Sequence, residues 1–457
     1  MRRIAAALLT AALAMPVSAA TDPVAAMLRS VKSKNIEHTI KTLVSFGTRS
    51  TLSSQDDPKR GIGAARDWLY GEFKKVAETS DGRMTVELQS FDQEPGKFAR
   101  IAKTTKLTNI VATLRGTQPE SEKRVYVVSG HYDSMCSSPT DADCDAPGAN
   151  DDASGTAAVL EAARVMAPHS FDATIVFMTV PGEEQGLVGS THFAEEAKKQ
   201  GMDIDAMFTN DIVGNTHGGN GVIDRKTLRV FAEGVPSDES EEEARTRRSV
   251  GGENDSPSRE LGRFIVETAS SKLQDFHVHL VYRRDRYLRG GDHIPFLERG
   301  YPAVRFTEPN EEYKHQHQNV RVEKGVQYGD LPQFVDFAYV ANVTRVNVAA
   351  LATLALAPAR PSGAAVLTTR LTNDTDLQWA PNHEPDLDHY EVVWRDTDAP
   401  MWQHSRAVGN VTSYTMKGLS KDNFIFGIVA VDEAGHRSPA SFPKPKREPP
   451  AAKPPAR

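Results

Sequence analysis

Residues 125–133 read Val-Tyr-Val-Val-Ser-Gly-His-Tyr-Asp, an apolar run that leads into a histidine and an aspartate. The apolar part has the length and the β-branched residues of a buried strand. A helical pattern follows over residues 156–166, then a second strand-like run over residues 174–179 and a second helical pattern over residues 190–199. This alternation predicts an α/β fold in which helices cover both faces of one sheet.

The same pattern extends in both directions from this centre, and it ends with a long helical segment over residues 331–356. Residues 357–363, Ala-Pro-Ala-Arg-Pro-Ser-Gly, have the composition of a linker. Beyond them, short β segments with a period of two are separated by turn residues. We therefore predict an α/β domain over residues 21–357 and an all-β sandwich over residues 364–442. The proline- and lysine-rich residues 443–457 are predicted to be disordered.

The predicted sandwich resembles a fibronectin type III domain. The resemblance rests on Trp379, Tyr390, Leu419 and the apolar stretch 424–432, because such domains bury a tryptophan in one sheet and have this kind of penultimate strand. The sequence leaves the task of this domain open. The domain can contact a polymer, a surface or a partner, or it can serve as a spacer or a stabilising element.

The amino end has the pattern of a signal peptide. Arg2 and Arg3 precede an apolar run over residues 4–15, and small residues follow at 17–20, which together predict export and cleavage. The alternative, a membrane anchor, needs about 20 apolar residues, and this run is shorter. We therefore expect residues 1–20 to be removed, the mature protein to be secreted or periplasmic, and no membrane attachment to remain.

Two further expectations follow from composition. The chain has two cysteines, Cys136 and Cys144, and an exported chain normally oxidises such a closely spaced pair to a disulfide. Two free thiols are the alternative, because spacing alone does not prove geometry. The 457 residues carry a formal net charge of -7 at pH 7, which gives no general attraction for nucleic acid.

Five polar motifs lie at or near the predicted carboxyl ends of strands, where open α/β sheets place their sites. They are 129–133 (Ser-Gly-His-Tyr-Asp), 148–156 (Gly-Ala-Asn-Asp-Asp-Ala-Ser-Gly-Thr), 180–190 (Val-Pro-Gly-Glu-Glu-Gln-Gly-Leu-Val-Gly-Ser), 208–215 (Phe-Thr-Asn-Asp-Ile-Val-Gly-Asn) and 313–319 (Tyr-Lys-His-Gln-His-Gln-Asn). Taken singly, most of them can be surface turns or helix caps. Their shared position predicts one cleft.

The residue types in these motifs are those of a metal centre. His131 can bind a metal ion while Asp133 orients its other ring nitrogen. Asp151 can offer its two carboxylate oxygens to two metal ions held about 3.5–4 Å apart. Glu183 and Glu184 are adjacent carboxylates, which repel each other unless their roles differ, so one can bind metal while the other acts as the general base. The last two motifs add a carboxylate and an imidazole.

In this order, the motifs resemble the two-zinc aminopeptidases and glutamate carboxypeptidases of metallopeptidase clan MH, over about residues 32–356. The resemblance implies a three-layer α/β/α zinc exopeptidase core with a mixed sheet, two zinc ions per chain and a cis peptide bond between Asp151 and Asp152. By motif, it gives His131 and Asp211 to one zinc ion, Glu184 and His317 to the other, Asp151 as the bridge, Glu183 as the general base and Asp133 as the partner of His131.

The chain departs from the family pattern at two places. Where the family shows His-Thr-x-x-Asp-Thr, the chain reads His-Gln-His-Gln-Asn from His315 onward, so either His317 or His315 can be the ligand, and we favour His317. Where the family shows Ser-Asp-His-x-x-Phe, the chain has Gly291 at the serine position. Asp292 and His293 follow it, and we interpret both as structural residues of the cleft wall.

The resemblance implies a peptidase that removes residues one at a time from the end of a peptide. Zinc is favoured because the ligands are imidazoles and carboxylates, and we expect an aminopeptidase in which Glu183 takes the proton of a metal-activated water. Two alternatives stay open. A carboxypeptidase would need a cationic cluster for the free carboxylate, for which Arg283, Arg284, Arg286 and Arg289 are candidates. A binding protein on an inactive peptidase fold would not catalyse hydrolysis.

Overall fold

The computed structural model describes residues 22–447. The larger part of the molecule is built on a sheet of eight strands with the spatial order β1-β2-β4-β3-β5-β8-β6-β7. These strands are β1 Met84–Gln93, β2 Thr105–Leu114, β3 Arg124–His131, β4 Thr174–Val180, β5 Asp203–Asn210, β6 Thr227–Phe231, β7 His277–Val281 and β8 Ala303–Thr307. Strands β4, β3, β5 and β8 run parallel. Because β2 is antiparallel to β4 and β6 to β8, the sheet is mixed, as predicted.

Helices cover both faces of this sheet. They are α1 Pro23–Ser30, α2 Ser33–Ser45, α3 Ile62–Ala77, α4 Ala153–Met166, α5 Val188–Gln200, α6 Glu241–Val250, α7 Pro257–Lys272, α8 Ile294–Leu297 and α9 Phe337–Leu356, with a hairpin of β9 Arg321–Glu323 and β10 Val326–Tyr328 before α9. Alternate residues of a strand point to opposite faces. On β3, Tyr126 and Val128 pack with α4 and α9, while Val125 and Val127 pack with α5 and α8. The predicted three-layer core is confirmed.

Helix α9 is, within residues 22–447, the one helix that is long and apolar enough by composition to cross a membrane. Its most apolar window is 78% buried inside the protein, where it packs against α4, α7 and the sheet. Asp336 caps its first turn by accepting from the backbone N–H groups of Ala338 and Tyr339. Helix α9 is therefore buried to the degree that is typical of a core helix of the protein.

The smaller part consists of two sheets, with the strand orders β15-β12-β11-β17 and β14-β13-β16. The strands are β11 Ala365–Leu367, β12 Thr375–Gln378, β13 Leu387–Asp396, β14 His404–Gly409, β15 Ser413–Met416, β16 Phe424–Asp432 and β17 Lys444–Lys446. Trp379, Tyr390, Met416 and Ile428, from both sheets, meet in one core. The part is therefore an all-β sandwich, while its resemblance to fibronectin type III domains stays a prediction.

One boundary of the sandwich differs from the sequence prediction. Residues 443–457 are predicted to be disordered, but Lys444–Lys446 form the strand β17 at the edge of a sheet, parallel to β11. The pairing uses backbone groups, and an edge strand tolerates Pro445 because only one of its sides is bonded. The rest of the predicted tail, residues 448–457, and the predicted signal peptide, residues 1–20, lie outside the described residues.

The two parts share a polar interface around Glu260, a buried residue of α7. One carboxylate oxygen of Glu260 accepts from Trp402 Nε1 and from the backbone N–H of Ala440, both at 3.0 Å. The other lies 3.2 Å from Nη1 of the buried Arg263, whose Nε donates to the carbonyl oxygen of Pro400 at 2.8 Å. The sandwich is thus hydrogen-bonded to the α/β part, in addition to being joined to it by the chain.

Glu260→Ala is expected to destabilise the fold by about 3–5 kcal/mol, the usual cost of breaking a buried ionic contact from one side. The substitution leaves the N–H groups of Trp402 and Ala440 buried without an acceptor, and it removes one of the two carboxylates beside Arg263, which keeps Asp255 at 3.1 Å. Urea unfolding followed by tryptophan fluorescence measures the loss. Glu260→Gln keeps an acceptor of the same shape and should cost less. An alanine variant as stable as the parent would show that the interface does not depend on this carboxylate.

Candidate metal centre

Three neighbouring parallel strands, β4, β3 and β5, end at one edge of the sheet. His131 is the last residue of β3, and it lies opposite Val180, the last residue of β4. Glu183 and Glu184 follow β4 after a short turn, and Asp211 directly follows β5. Because the carboxyl ends of parallel strands meet at the same edge, these side chains are close in space although they are distant in sequence.

The candidate residues form two groups of three. Within each group, one side-chain ligand atom of each residue lies within 4.8 Å of the others. The first group is His131, Glu183 and Asp211, and the second is Asp151, Glu184 and His317. The structure thus brings together every residue that the motifs proposed as a ligand or a base, apart from the alternative His315.

Asp151 lies between the two groups. Its Oδ1 is 3.2 Å from His131 Nε2, and its Oδ2 is 2.9 Å from His317 Nε2. Oδ1 of Asp211 is 3.8 Å from the same nitrogen of His131, and Oε2 of Glu184 is 3.2 Å from His317 Nε2. Each oxygen of Asp151 therefore faces a different imidazole, and a carboxylate in this position can bridge two metal ions.

The atoms of this centre suit metal ions. Nε2 of His131 and Oε1 of Glu184 are buried without a hydrogen-bond partner, whereas buried polar groups normally have one. Imidazole and carboxylate donors without a thiolate are a common zinc set. Burial alone would lower the pKa of His317, but the carboxylates of Glu184 and Asp151 outweigh burial and raise that pKa to about 11. The centre therefore favours positive charge.

Glu183, a member of the first group, is half-buried and lines the cleft. Burial raises the pKa of its carboxyl well above the usual range; His131 acts in the opposite direction, and the charges of Asp211 and Glu184 add to the rise. A carboxyl group with a raised pKa can accept and return a proton near neutral pH.

Asp133 contacts more than one residue of the centre. Its Oδ1 lies 3.3 Å from Nδ1 of His131, which is where an orienting carboxylate belongs. Its Oδ2 accepts from the backbone N–H of Glu184 at 3.2 Å and from the hydroxyl of Thr51 at 3.1 Å. The backbone N–H of Glu183 donates to Oδ1 at 3.4 Å. One buried carboxylate therefore fixes both the histidine and the turn that carries the two glutamates.

The peptide bond between Asp151 and Asp152 is cis, as the resemblance implies. Asp152 has the structural contacts expected of it. One of its oxygens accepts from the backbone N–H of Gly155 at 2.8 Å and caps α4. The other accepts from the backbone N–H of His131 at 3.0 Å. Asp152 thereby joins the start of α4 to the end of β3.

Three buried residues support the centre although no motif indicated them. Asp330 accepts from the backbone N–H of Asp151 at 2.7 Å. Arg49 donates to four backbone carbonyl oxygens. Arg305 lies 2.8 Å from Oδ2 of Asp211 and lowers the pKa of that carboxyl against the effect of burial, which would raise it. Of the three, Arg305 alone has a signal in the sequence, a single charge within the apolar strand β8.

The structure shows that His317 and His315 have different surroundings, and it shows the contacts of Asp292 and His293. His317 faces the second group, whereas the ring of His315 stacks on Phe334 with centroids 3.6 Å apart and an interplanar angle of 12°. Asp292 and His293 are fully buried. Asp292 accepts from a serine hydroxyl at 2.5 Å, and Nε2 of His293 is 2.8 Å from a backbone carbonyl oxygen. Such contacts fit a structural role.

His317→Ala is expected to reduce the zinc content from two ions per chain to one, and His315→Ala to leave both ions in place. One imidazole is needed to complete the second group, and the ring of His315 is engaged with Phe334 instead. Metal analysis after dialysis measures the zinc content, and the two variants control for each other. If only the His315 variant lost zinc, His315 and not His317 would be the ligand.

Cys136 and Cys144 form a disulfide, which is the pairing that the sequence predicted. The loop closed by this bridge contacts the segment that carries His317. The backbone N–H of Ser137 donates to Asn319 Oδ1 at 3.2 Å, and the backbone N–H of Asn319 donates to Ser137 Oγ at 3.0 Å. The bridge therefore constrains a loop that borders the centre.

A cleft of about 350 Å³ opens onto both groups. This volume lies within the range of ligand sites, about 300–1,000 Å³. Besides Asp151, Glu183, Glu184, Asp211 and His317, its lining consists of Arg100, Leu187, Ile212, Arg286, Leu288, Arg289 and Gly290.

Comparison with known proteins gives consistent matches. Residues 109–324 match the profile of Peptidase family M28. A relative named "Probable zinc metalloprotease" from Pyrenophora tritici-repentis is 48% identical over 93% of this chain and 87% of its own length. Another of the same name, from Pyricularia oryzae, is 49% identical over 92% of this chain and 84% of its own length. The solved LapA aminopeptidase of Legionella pneumophila has the same fold, with a TM-score of 0.51 and 21% identity over 73% of this chain and 74% of that one.

Proposed function

The chain belongs to peptidase family M28, and from that membership we propose that it is an aminopeptidase, which removes residues from the amino end of peptides. As a zinc metallopeptidase of this family it binds two zinc ions and hydrolyses peptide bonds. The end of the peptide and the roles of individual residues are our proposal. The position of Asp151 between two imidazoles is the observation that carries the two-zinc centre, and the engagement of the arginines near the cleft carries the choice of the amino end.

In this proposal His131 and Asp211 would hold one zinc ion, Glu184 and His317 would hold the other, and Asp151 would be a ligand of both. The distances of 3.2 and 2.9 Å from the two oxygens of Asp151 to the two imidazoles support the bridge. Bound zinc supplies Lewis acidity, which lowers the pKa of water and polarises a peptide carbonyl.

Glu183 is the general base. It takes a proton from the water that attacks the peptide carbonyl, and it returns that proton to the amine that leaves. Its place on the cleft wall, within 4.8 Å of ligand atoms of His131 and Asp211, supports this role. Asp133 is a positioning residue, since it contacts the ring of His131 and the backbone of Glu183.

The arginines near the cleft favour an aminopeptidase over a carboxypeptidase. A carboxypeptidase needs a cation that is free to bind the terminal carboxylate. Arg286 and Arg289 line the cleft, but both lie near Glu311, at 3.5 and 2.6 Å. Arg284 and Arg283 are engaged at the surface by a carboxylate and by a tyrosine ring.

Glu183 and Asp211 both line the cleft. The remaining arginine of the lining, Arg100, donates to the carbonyl oxygen of Glu184 at 2.6 Å. The choice of the amino end therefore rests on the arginines, each of which is already engaged, because the proposal uses Asp211 as a zinc ligand and Glu183 as the base.

Substrates with free and blocked ends test the proposal. We expect hydrolysis of an aminoacyl anilide with a free amine and no measurable hydrolysis once the amine is acetylated. Cleavage of an amino-blocked dipeptide that ends in an acidic residue would identify a carboxypeptidase. A protein that binds two zinc ions and cleaves neither substrate would be a binding protein.

We also propose that the protein is secreted or periplasmic. The pattern of residues 1–20 supports export, and the pair Cys136–Cys144 suits an oxidising compartment. The mass of the protein from fractionated cells tests this, with a mature amino end expected near residue 21. Full-length protein confined to the cytoplasm would contradict it. Contact of the sandwich with a polymer or a surface stays a prediction.

A further inference from the structure

Arg305 is a fully buried arginine directly behind the candidate ligand Asp211. It lies within β8, and its Nη2 is 2.8 Å from Oδ2 of Asp211. The other oxygen of that carboxylate, Oδ1, faces His131 Nε2 at 3.8 Å. Arg305 therefore engages one oxygen of Asp211 and leaves the other directed towards the metal centre.

The guanidinium of Arg305 is also held from its far side. Its Nη1 donates to the carbonyl oxygen of Gly290 at 2.8 Å and lies 3.5 Å from Oδ2 of Asp285. Asp285 is itself buried, and the same oxygen is 3.6 Å from Nε2 of His293. A planar guanidinium that is contacted on two sides has a fixed orientation, so it fixes the carboxylate of Asp211 in turn.

Gly291, the residue at the position of the family's serine, lies against this guanidinium. Its φ is outside the left-handed region, so the backbone conformation does not require glycine. The limited space around residue 291 is what favours glycine. A Cβ at this position would lie 2.5 Å from Nη1 of Arg305 and 3.5 Å from Oδ2 of Asp211. A side chain at residue 291 would therefore displace the guanidinium.

We propose that Arg305 is a positioning residue for the zinc ion held by His131 and Asp211, and that Gly291 is needed because it leaves room for Arg305. The inference rests on the ligand assignment of the proposed function. It gives a steric reason for the glycine at this position, where the family pattern has serine. It also predicts an effect confined to one of the two zinc sites.

Gly291→Ala and Arg305→Lys are expected to weaken zinc binding at one site by about 10–100-fold, the usual effect of changing a residue that orients a metal ligand. The second site should keep the affinity of the parent. Titration of the metal-free protein with zinc, against a chromophoric chelator, measures both affinities without any assay of activity. Gly71→Ala in α3 is the matched control, because a Cβ there meets no atom within 4 Å.

A double variant tests whether Gly291 acts through Arg305. If it does, Gly291→Ala should add no further loss of affinity in an Arg305→Met background. The activity of Gly291→Ala should also recover in excess zinc, because a filled site restores the centre. Additive losses in the double variant, or equal weakening of both sites in Gly291→Ala, would overturn the proposal. A parent protein with fewer than two zinc sites would overturn the ligand assignment itself.

Discussion

Glu183→Gln is expected to keep both zinc ions and to lose about 10²–10⁴-fold in kcat, the usual contribution of a positioned general base. The amide has nearly the shape of the carboxylate, but it cannot accept a proton near neutral pH. The turn that carries it should be preserved, since Asp133 contacts the backbone of Glu183 and Glu184. Zinc content and kcat on a free-amine aminoacyl anilide are measured on the same preparation.

Glu184→Gln is the control for this prediction. The carboxylate of Glu184 faces His317 at 3.2 Å, so its neutralisation should weaken one zinc site as well as activity. Glu183 itself lies within 4.8 Å of ligand atoms of His131 and Asp211, which makes the comparison informative. Equal zinc loss in the two variants would identify Glu183 as a ligand and leave the general base unassigned.

Asp151→Ala is expected to lose both zinc ions and to approach the uncatalysed rate, a fall of about 10⁶-fold or more. Each oxygen of this carboxylate faces a different imidazole, so one substitution removes a ligand from both sites. Dialysis against a chelator should inactivate the parent to the same degree. Added zinc should restore the parent and leave the variant inactive.

Asp145→Asn provides the matched control for Asp151→Ala. The side chain of Asp145 is 70% exposed, and its ion pair with Arg60 lies at the surface, where such pairs contribute about 0–1 kcal/mol. Its zinc content and activity should equal those of the parent. If Asp151→Ala retained one tightly bound zinc ion and substantial activity, the two sites would be independent and Asp151 would not bridge them.

The sequence predicts the centre of this molecule well because its ligands sit at the ends of strands. The end of a buried strand is visible as the end of an apolar run, as at His131 and Asp211. Once the strands are parallel, their carboxyl ends share one edge, and the exact register of β3 against β4 is not needed. The choice between His315 and His317 was harder, because it depends on the backbone of a loop in which His317 has a φ of 51°.

The supporting residues could not be predicted in the same way. Asp330 and Arg49 reach the centre through backbone N–H and carbonyl groups, which every residue carries and which leave no pattern in the sequence. The pairing of strand β17 leaves no pattern in the sequence for the same reason, since its partners are backbone atoms of β11. Arg305 left a signal as a charge in an apolar strand, but its partner Asp211 is 94 positions away.

The contacts of Glu260 with Trp402 and Ala440 also bear on the orientation of the cleft relative to the sandwich. These hydrogen bonds join the sandwich to α7, so a change in the angle between the two parts would have to break them. If the sandwich were attached to an immobile surface, the position and the orientation of the cleft relative to that surface would therefore be restricted. The cleft would then reach only the peptide ends within a limited distance of that surface, and other peptide ends would have to diffuse to it.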